Sequence, residues 1–337
     1  MGHLLHQHGL GSRPSNLVKK NLPRILVPLL ISALALWAAT RNVRWEEVKH
    51  ILPQARLFPL VLGFLISLVS YYLRGWRWKI LLAPFQSVSV WTLIRWQVGG
   101  IVINNLLPLR AGEFARAYWA GHKTSVSKSA ILATVVVERV FDVGTLAVLT
   151  LLLLAGMGLS DGNPLMTPKS MALLSSAALT AGYAAWRIFG KVRSRLPEKI
   201  SKMADNFISG LHVLKDGKEI AKLAFLSPLI WSIDIGAVAV ASRSLGLDLS
   251  WPQGGLVMAG LILGVMIPAA PGAVGTYEAG GVQALSLMGF DPTLAFSYVL
   301  LLHVFQMGAA FLLGIPSLII EGFDPKQLYR EMSGTAG

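Results

Sequence analysis

Long, predominantly apolar runs constrain this chain more than any other feature. Residues 129–156, 223–242 and 292–320 each reach the roughly 20 residues a helix needs to cross a hydrocarbon core of about 30 Å. Soluble domains rarely hold three such runs. The composition agrees: the chain is 54% hydrophobic and 14% charged, with a mean hydropathy of +0.58, where soluble proteins carry roughly a quarter charged residues. The expected fold class is an all-α polytopic membrane protein.

Charge placement gives the orientation. The net charge is +13, but the basic residues crowd between the apolar runs, where the positive-inside rule puts them, and not on one soluble basic face. They orient the chain and attract anionic lipid, so nucleic acid is not an expected partner. The absence of cysteine excludes disulfides, thiolate catalysis and cysteine-ligated metals, and no cofactor or metal is expected. Met1-Gly2 is followed by His6, where a myristoylation motif needs Ser or Thr. His3, His6 and His8 read as part of a tail.

Six runs read as full crossings, at 23–40, 57–73, 129–156, 169–187, 223–243 and 292–320. Arg13, Lys19, Lys20 and Arg24 precede the first, and nine Lys and Arg residues fill 187–222, whereas 157–168 and 244–252 hold none. Both termini and the 187–222 segment are therefore expected in the cytoplasm, with the protein in the cytoplasmic membrane. The loop 41–56, expected outside, fits less well, because it carries Arg41, Arg44, Lys49 and Arg56. Two further apolar segments are broken. In 91–121 a Gly pair, an Asn pair and Pro108 interrupt an apolar stretch that as helix spans only about 18 Å. In 254–289 the breaks are Pro268, Pro271, Gly272 and Gly275. Irregular backbone at membrane depth is tolerated only inside protein or against water. Each segment thus reads as a re-entrant pair of half-helices, the first entering from the cytoplasm and the second from outside.

The order becomes two crossings, a re-entrant hairpin and a crossing, then the same elements inverted. The expected organisation is a tail at 1–22, a first repeat at 23–156 with its hairpin at 91–121, a second repeat at 157–320 with its hairpin at 254–289, and a tail at 321–337. Gly/Pro-interrupted segments at corresponding places in two halves point to a midplane substrate site.

The ionisable residues concentrate near the first break. Glu113 and Arg116 follow Arg110, while Glu138, Arg139 and Asp142 lie inside a crossing, where each charge costs at least about 2.5–3.5 kcal/mol on insertion scales. Arg139 and Asp142, three apart, share a helix face. Glu138 and Asp142, four apart, repel unless a cation, proton or arginine sits between them. The cluster fits either a brace between helices or a polar cavity whose arginines clamp a phosphate. Glu278 follows the second break without a neighbouring charge, so it is expected to be protonated or paired with an arginine of the other half. Asp234, Arg243 and His303 read as packing residues, and Tyr71, Tyr72, Trp76 and Trp78 as interfacial anchors. No metalloprotease, nucleophile-elbow or P-loop motif is present, so an enzyme is not expected. An intramembrane lipid-modifying enzyme, or an accessory subunit of a lipid or glycan synthase, is the alternative.

The stretches NLLPLRAGEFARAYWAG, VVVERVFDVG and PGAVGTYEAGGV resemble the flippase-like transmembrane family, which includes the membrane half of lysylphosphatidylglycerol synthase and stand-alone bacterial and archaeal proteins. Its motifs fall on Pro108, Arg110, Gly112, Glu113 and Arg116; on Glu138, Arg139 and Asp142; and on Pro271, Gly272, Gly275 and Glu278. The chain departs at Ala273, where a further glycine is common, and at Tyr277, where arginine often precedes the glutamate. The resemblance implies movement of an anionic phospholipid or a polyprenyl-linked lipid between leaflets, with proton or cation coupling and a homo-oligomer both open. It does not imply aminoacyl transfer, for which the residues after 320 are too few.

Overall fold

The computed structural model describes residues 14–107, 111–158 and 197–323, with the side chains at 14–25, 111 and 199 excepted. Pro108, Arg110, the crossing expected at 169–187, the basic segment before 197 and most of the C-terminal tail lie outside the described residues. Within them the structure is helical: α1 (Pro14–Thr40), α2 (Trp45–Ile51), α3 (Leu57–Leu82), α4 (Val90–Leu106), α5 (Ala111–Lys123), α6 (Lys128–Gly156), α7 (Glu198–Gly210), α8 (Gly217–Ser242), α9 (Trp251–Met266), α10 (Thr276–Leu287) and α11 (Pro292–Ile320). Three stretches, Leu57–Leu82, Gly217–Leu245 and Pro292–Ile320, are long and apolar enough to cross a membrane, and Leu26–Thr40 with Trp45–Gln54 forms a further apolar pair bent by 82°. Side chains such as Leu30, Val140, Phe225, Leu312 and Ile319 are all more than half exposed. That outward apolar surface suits lipid and not water.

Local chemistry sets the helix ends. Ser89 and Ser127 cap α4 and α6 by accepting the amides of Thr92 and Ala130, and Asp291 caps α11 by accepting those of Thr293 and Leu294. Helices α4 and α9 each stop two residues before a proline, Pro108 and Pro268, because the residue preceding proline is pushed out of helical geometry.

Both broken segments fold back on themselves as helical hairpins, and glycine lets them close. A Cβ on Gly112 of α5 would run into the backbone carbonyl of Gly100 on α4, and Gly260 faces Gly280 across α9 and α10 in the same way. Gly275 precedes α10 with φ +91°, and a Cβ there would meet the Ser32 carbonyl of α1. Only glycine meets both demands.

The contacts sort the connections into two ends. At one end Arg44 reaches Asp291 at 2.9 Å, and the Arg56 amide donates to the Ser244 carbonyl at 2.9 Å. At the other, the Ser125 amide donates to Gln86, Arg95 and Trp96 donate to Glu321, and Trp119 packs on Phe323. The α4–α5 hairpin starts from the second end and α9–α10 from the first. Their turns approach: a Cβ on Gly272 would lie 3.9 Å from the Asn105 carbonyl oxygen. Between them α3 packs closely on α8, with Gly63 against Ala237 and Ala241.

Two expectations need correction. The run read as 57–73 continues to Leu82, past Arg74 and Arg77, because both arginines turn inward onto carboxylates. Trp78 is no interfacial anchor: it is fully buried and donates to Thr134.

Closure of the first hairpin depends on Gly112. Gly112→Ala should lower the melting temperature of the purified protein by several degrees, by forcing α4 and α5 apart. Gly308→Ala, which meets nothing within 4 Å, should leave it unchanged. Equal melting curves would show that the glycine contact is dispensable.

Candidate functional site

Helices α3, α5, α6 and α8 turn their charged residues toward one another. Arg77 donates to both carboxylate oxygens of Asp142, at 2.7 and 3.2 Å, and to Ser227 at 2.9 Å, while its Nε lies 3.9 Å from Glu138. An arginine thus occupies the gap between the two like charges of α6. Arg116 pairs with Glu138 and lies 4.1 Å over the Trp78 ring. Arg74 pairs with Asp234 at 2.5 Å, and Arg139 with Glu113 at 2.9 Å, with Asp142 a further 3.4 Å contact of Arg139.

Exposure grades these pairs. Arg77, Arg116, Glu138 and Asp142 have side chains at most 8% exposed, whereas Arg139 is 44% exposed, Glu113 22% and Arg74 21%. All seven line a cavity of about 370 Å³; the first four hold helices together in its wall, and the other three are the more accessible to it. Gln97, Asn104, Gly112 and Trp231 also line that cavity. Five buried polar atoms in its wall have no hydrogen-bond partner: Nε of Arg77, Nε of Arg116, Nε1 of Trp231, Oε1 of Gln97 and Oε1 of Glu138. Such atoms cost roughly 1–3 kcal/mol each if left unpaired. A second cavity of about 690 Å³ adjoins the first, sharing Asn104, Glu113, Arg139, Asp142 and Gln306. Its remaining wall is mainly apolar, with Val143, Leu263 and Met266 about half exposed or more.

The second hairpin contributes a different group. Glu278 is buried, accepts the Gly275 amide at 2.6 Å and lies 2.6 Å from Nδ1 of His303. His303 Nε2 lies 3.0 Å from the Gly272 carbonyl. A carbonyl only accepts, so Nε2 carries a hydrogen and the Glu278–His303 contact holds one shared proton. Tyr277 stacks on His303 at 4.1 Å and donates to Gln306 at 2.8 Å. Glu278 therefore pairs with a histidine of the same half, neither alone nor with an arginine of the other half. Its partner's position still matches that of the partner of the first hairpin's glutamate: Arg139 and His303 are each the twelfth residue of their helices, α6 and α11.

Of the residues singled out in the sequence, Glu113, Arg116, Glu138, Arg139 and Asp142 converge on the first cavity, and Gly272 lines the second. Gly275 packs on α1, and Glu278 sits behind the second cavity's wall, reaching it through His303. Arg110 lies outside the described residues. Arg74, Arg77, Asp234 and His303 were missed as site residues. The available signal was stoichiometry: carboxylates buried in apolar helices need buried cations, and Arg74 and Arg77 share the three-residue spacing of Arg139 and Asp142.

Brace and cavity residues separate by mutation. Arg77→Ala removes the two-pronged partner of the buried Asp142, leaving it only the longer contacts to Arg139 and Arg74, and should cost about 3–5 kcal/mol of stability, read as lost folded yield or a much lower melting temperature. Arg139→Ala should lower the melting temperature much less than Arg77→Ala does, since Arg139 is 44% exposed, while abolishing function. The reverse pattern would exchange their roles.

The sequence model of the lysylphosphatidylglycerol synthase TM region matches residues 25–314. A Haloferax volcanii protein named glycosyltransferase AglD is 24% identical over 345 residues, covering 88% of this chain and 54% of the relative. A UPF0104 membrane protein of Pyrococcus horikoshii is 24% identical over 328 residues, covering 88% of this chain and 96% of its own length. A second UPF0104 membrane protein, from Methanocaldococcus jannaschii, is 25% identical over 143 residues, 40% of this chain and 41% of the relative. The chain thus spans about half the length of AglD, 41% of the Methanocaldococcus protein and nearly all of the Pyrococcus one. No solved structure matches.

Proposed function

The chain belongs to the family of the lysylphosphatidylglycerol synthase TM region, and we propose that it is a lipid flippase, moving a phospholipid or polyprenyl-linked lipid between the leaflets of the cytoplasmic membrane. The observation that carries this reading is a charged cavity inside an apolar helical exterior, lined by the first hairpin and by Met258 and Ile262 of the second, two hairpins that start from opposite ends of the molecule. A water-soluble partner needs no such site within an apolar exterior.

In this reading the protein has six crossings and two re-entrant hairpins, arranged as an inverted-topology repeat with both termini in the cytoplasm. The equal helix offsets of Arg139 and His303, the partners of Glu113 and Glu278, support that symmetry. The lipid phosphate enters the first cavity, where Arg139 and Arg74 are the accessible cations. The acyl or polyprenyl chains stay outside, along the apolar wall of the adjoining cavity. Rocking of one half against the other opens the cavity to alternate sides. The shared proton of Glu278 and His303, and the carboxylate of Glu113, are the groups that would couple this movement to a proton or cation. The glycosyltransferase name of the Haloferax relative favours a second reading, in which the chain modifies lipid within the membrane or serves a glycan synthase as an accessory subunit.

Proteoliposomes test both readings. Wild type should translocate headgroups of lipid extracted from its host without changing their mass. Glu113→Gln and Glu278→Gln should each slow translocation at least about tenfold, with folding intact, and should flatten its pH dependence. A changed lipid mass would favour the enzyme, and no translocation with or without a proton gradient would remove the flippase reading.

A further inference from the structure

Among the described residues, the charges of the first cavity's wall are balanced. They are four arginines and four carboxylates, and each arginine is within ion-pair distance of a carboxylate of that wall. A bare anion entering it would displace a carboxylate from its arginine and leave that carboxylate buried without a partner, a costly state in an apolar protein. A headgroup bearing both signs avoids this, because its phosphate takes the arginine while its cation takes the released carboxylate. The most accessible pair, Arg139 with Glu113, offers both poles side by side.

The unpartnered atoms point the same way. Trp231 Nε1 is an orphan donor and Gln97 Oε1 an orphan acceptor, both on side chains more than nine-tenths buried in the cavity wall. A phosphate satisfies donors only. Acceptors need N–H or O–H groups on the ligand, and a quaternary ammonium supplies none.

We propose that this cavity selects a dipolar aminophosphate headgroup, a phosphodiester joined to a primary ammonium with no net charge, over an anionic or a quaternary-ammonium headgroup. The proposal rests on the lipid-moving reading and narrows its substrate class. Arg139, Arg74 and Trp231 face the phosphate, while Glu113 and Gln97 face the ammonium.

Native mass spectrometry of the detergent-purified protein tests it directly. The protein is titrated with an equimolar mixture of phosphatidylethanolamine, phosphatidylglycerol and phosphatidylcholine of matched acyl chains. The ethanolamine adduct should exceed each of the others by about tenfold, the value of one charge-assisted hydrogen bond. Gln97→Met should reduce the preference over phosphatidylcholine severalfold, with the melting temperature recorded to verify folding. The wild-type competition stands even where the variant fails to fold. Phosphatidylglycerol adducts equal to or above those of phosphatidylethanolamine would overturn the dipolar headgroup and leave the flippase reading standing. Adducts with none of the three lipids would count against both.

Discussion

The interaction on which the rest of the structure depends is the two-pronged bond between Arg77 and Asp142. Asp142 sits in α6 only four residues from Glu138, and neither carboxylate survives in an apolar environment without a cation. Arg77, from a different helix, lies between them and ties α3 to α6, with Ser227 of α8 as its third partner. Arg116 completes the set by pairing Glu138 with α5. Four helices are thus registered by side chains that none of them could bury alone. A polar interior follows, and with it a cavity whose less buried pairs stand free to exchange partners.

Backbone closeness supplies the second constraint. The hairpins exist because glycines at Gly100, Gly112, Gly260 and Gly280 let helix backbones touch, and because prolines stop α4 and α9 short of a full crossing. Starting from opposite ends, the two turns approach near Asn105 and Gly272. The halves then differ in one telling respect. The first hairpin's Glu113 pairs with an arginine, Arg139, and the second hairpin's Glu278 with a histidine, His303.

Much of this was legible in the sequence, and the misses have physical causes. Apolar runs gave the long helices, and paired Gly/Pro breaks gave the hairpins, since both signals are local. Glu138, Arg139 and Asp142 stood out because a charge is conspicuous in an apolar run. Arg74 and Arg77 did not, because they follow the apolar run of α3, where a hydropathy reading ends the helix and assigns arginine to the interface. Trp78 was misplaced for the same reason. The partner of Glu278 was illegible: His303 lies 25 residues away in the chain, and only the packing of α10 on α11 reveals it.

The central claim is that two hairpins enter from opposite faces, the first lending Glu113 and Arg116 to the charged cavity and the second lending its break at Pro268–Ala273 to the adjoining one. Its most direct test uses the absence of native cysteine. Single cysteines at Ser125 and Ser209, in right-side-out and inverted vesicles, should react with a membrane-impermeant maleimide only from the cytoplasmic face, and one at Ser250 only from the external face. Labelling of Ser125 and Ser250 from the same side would contradict the account.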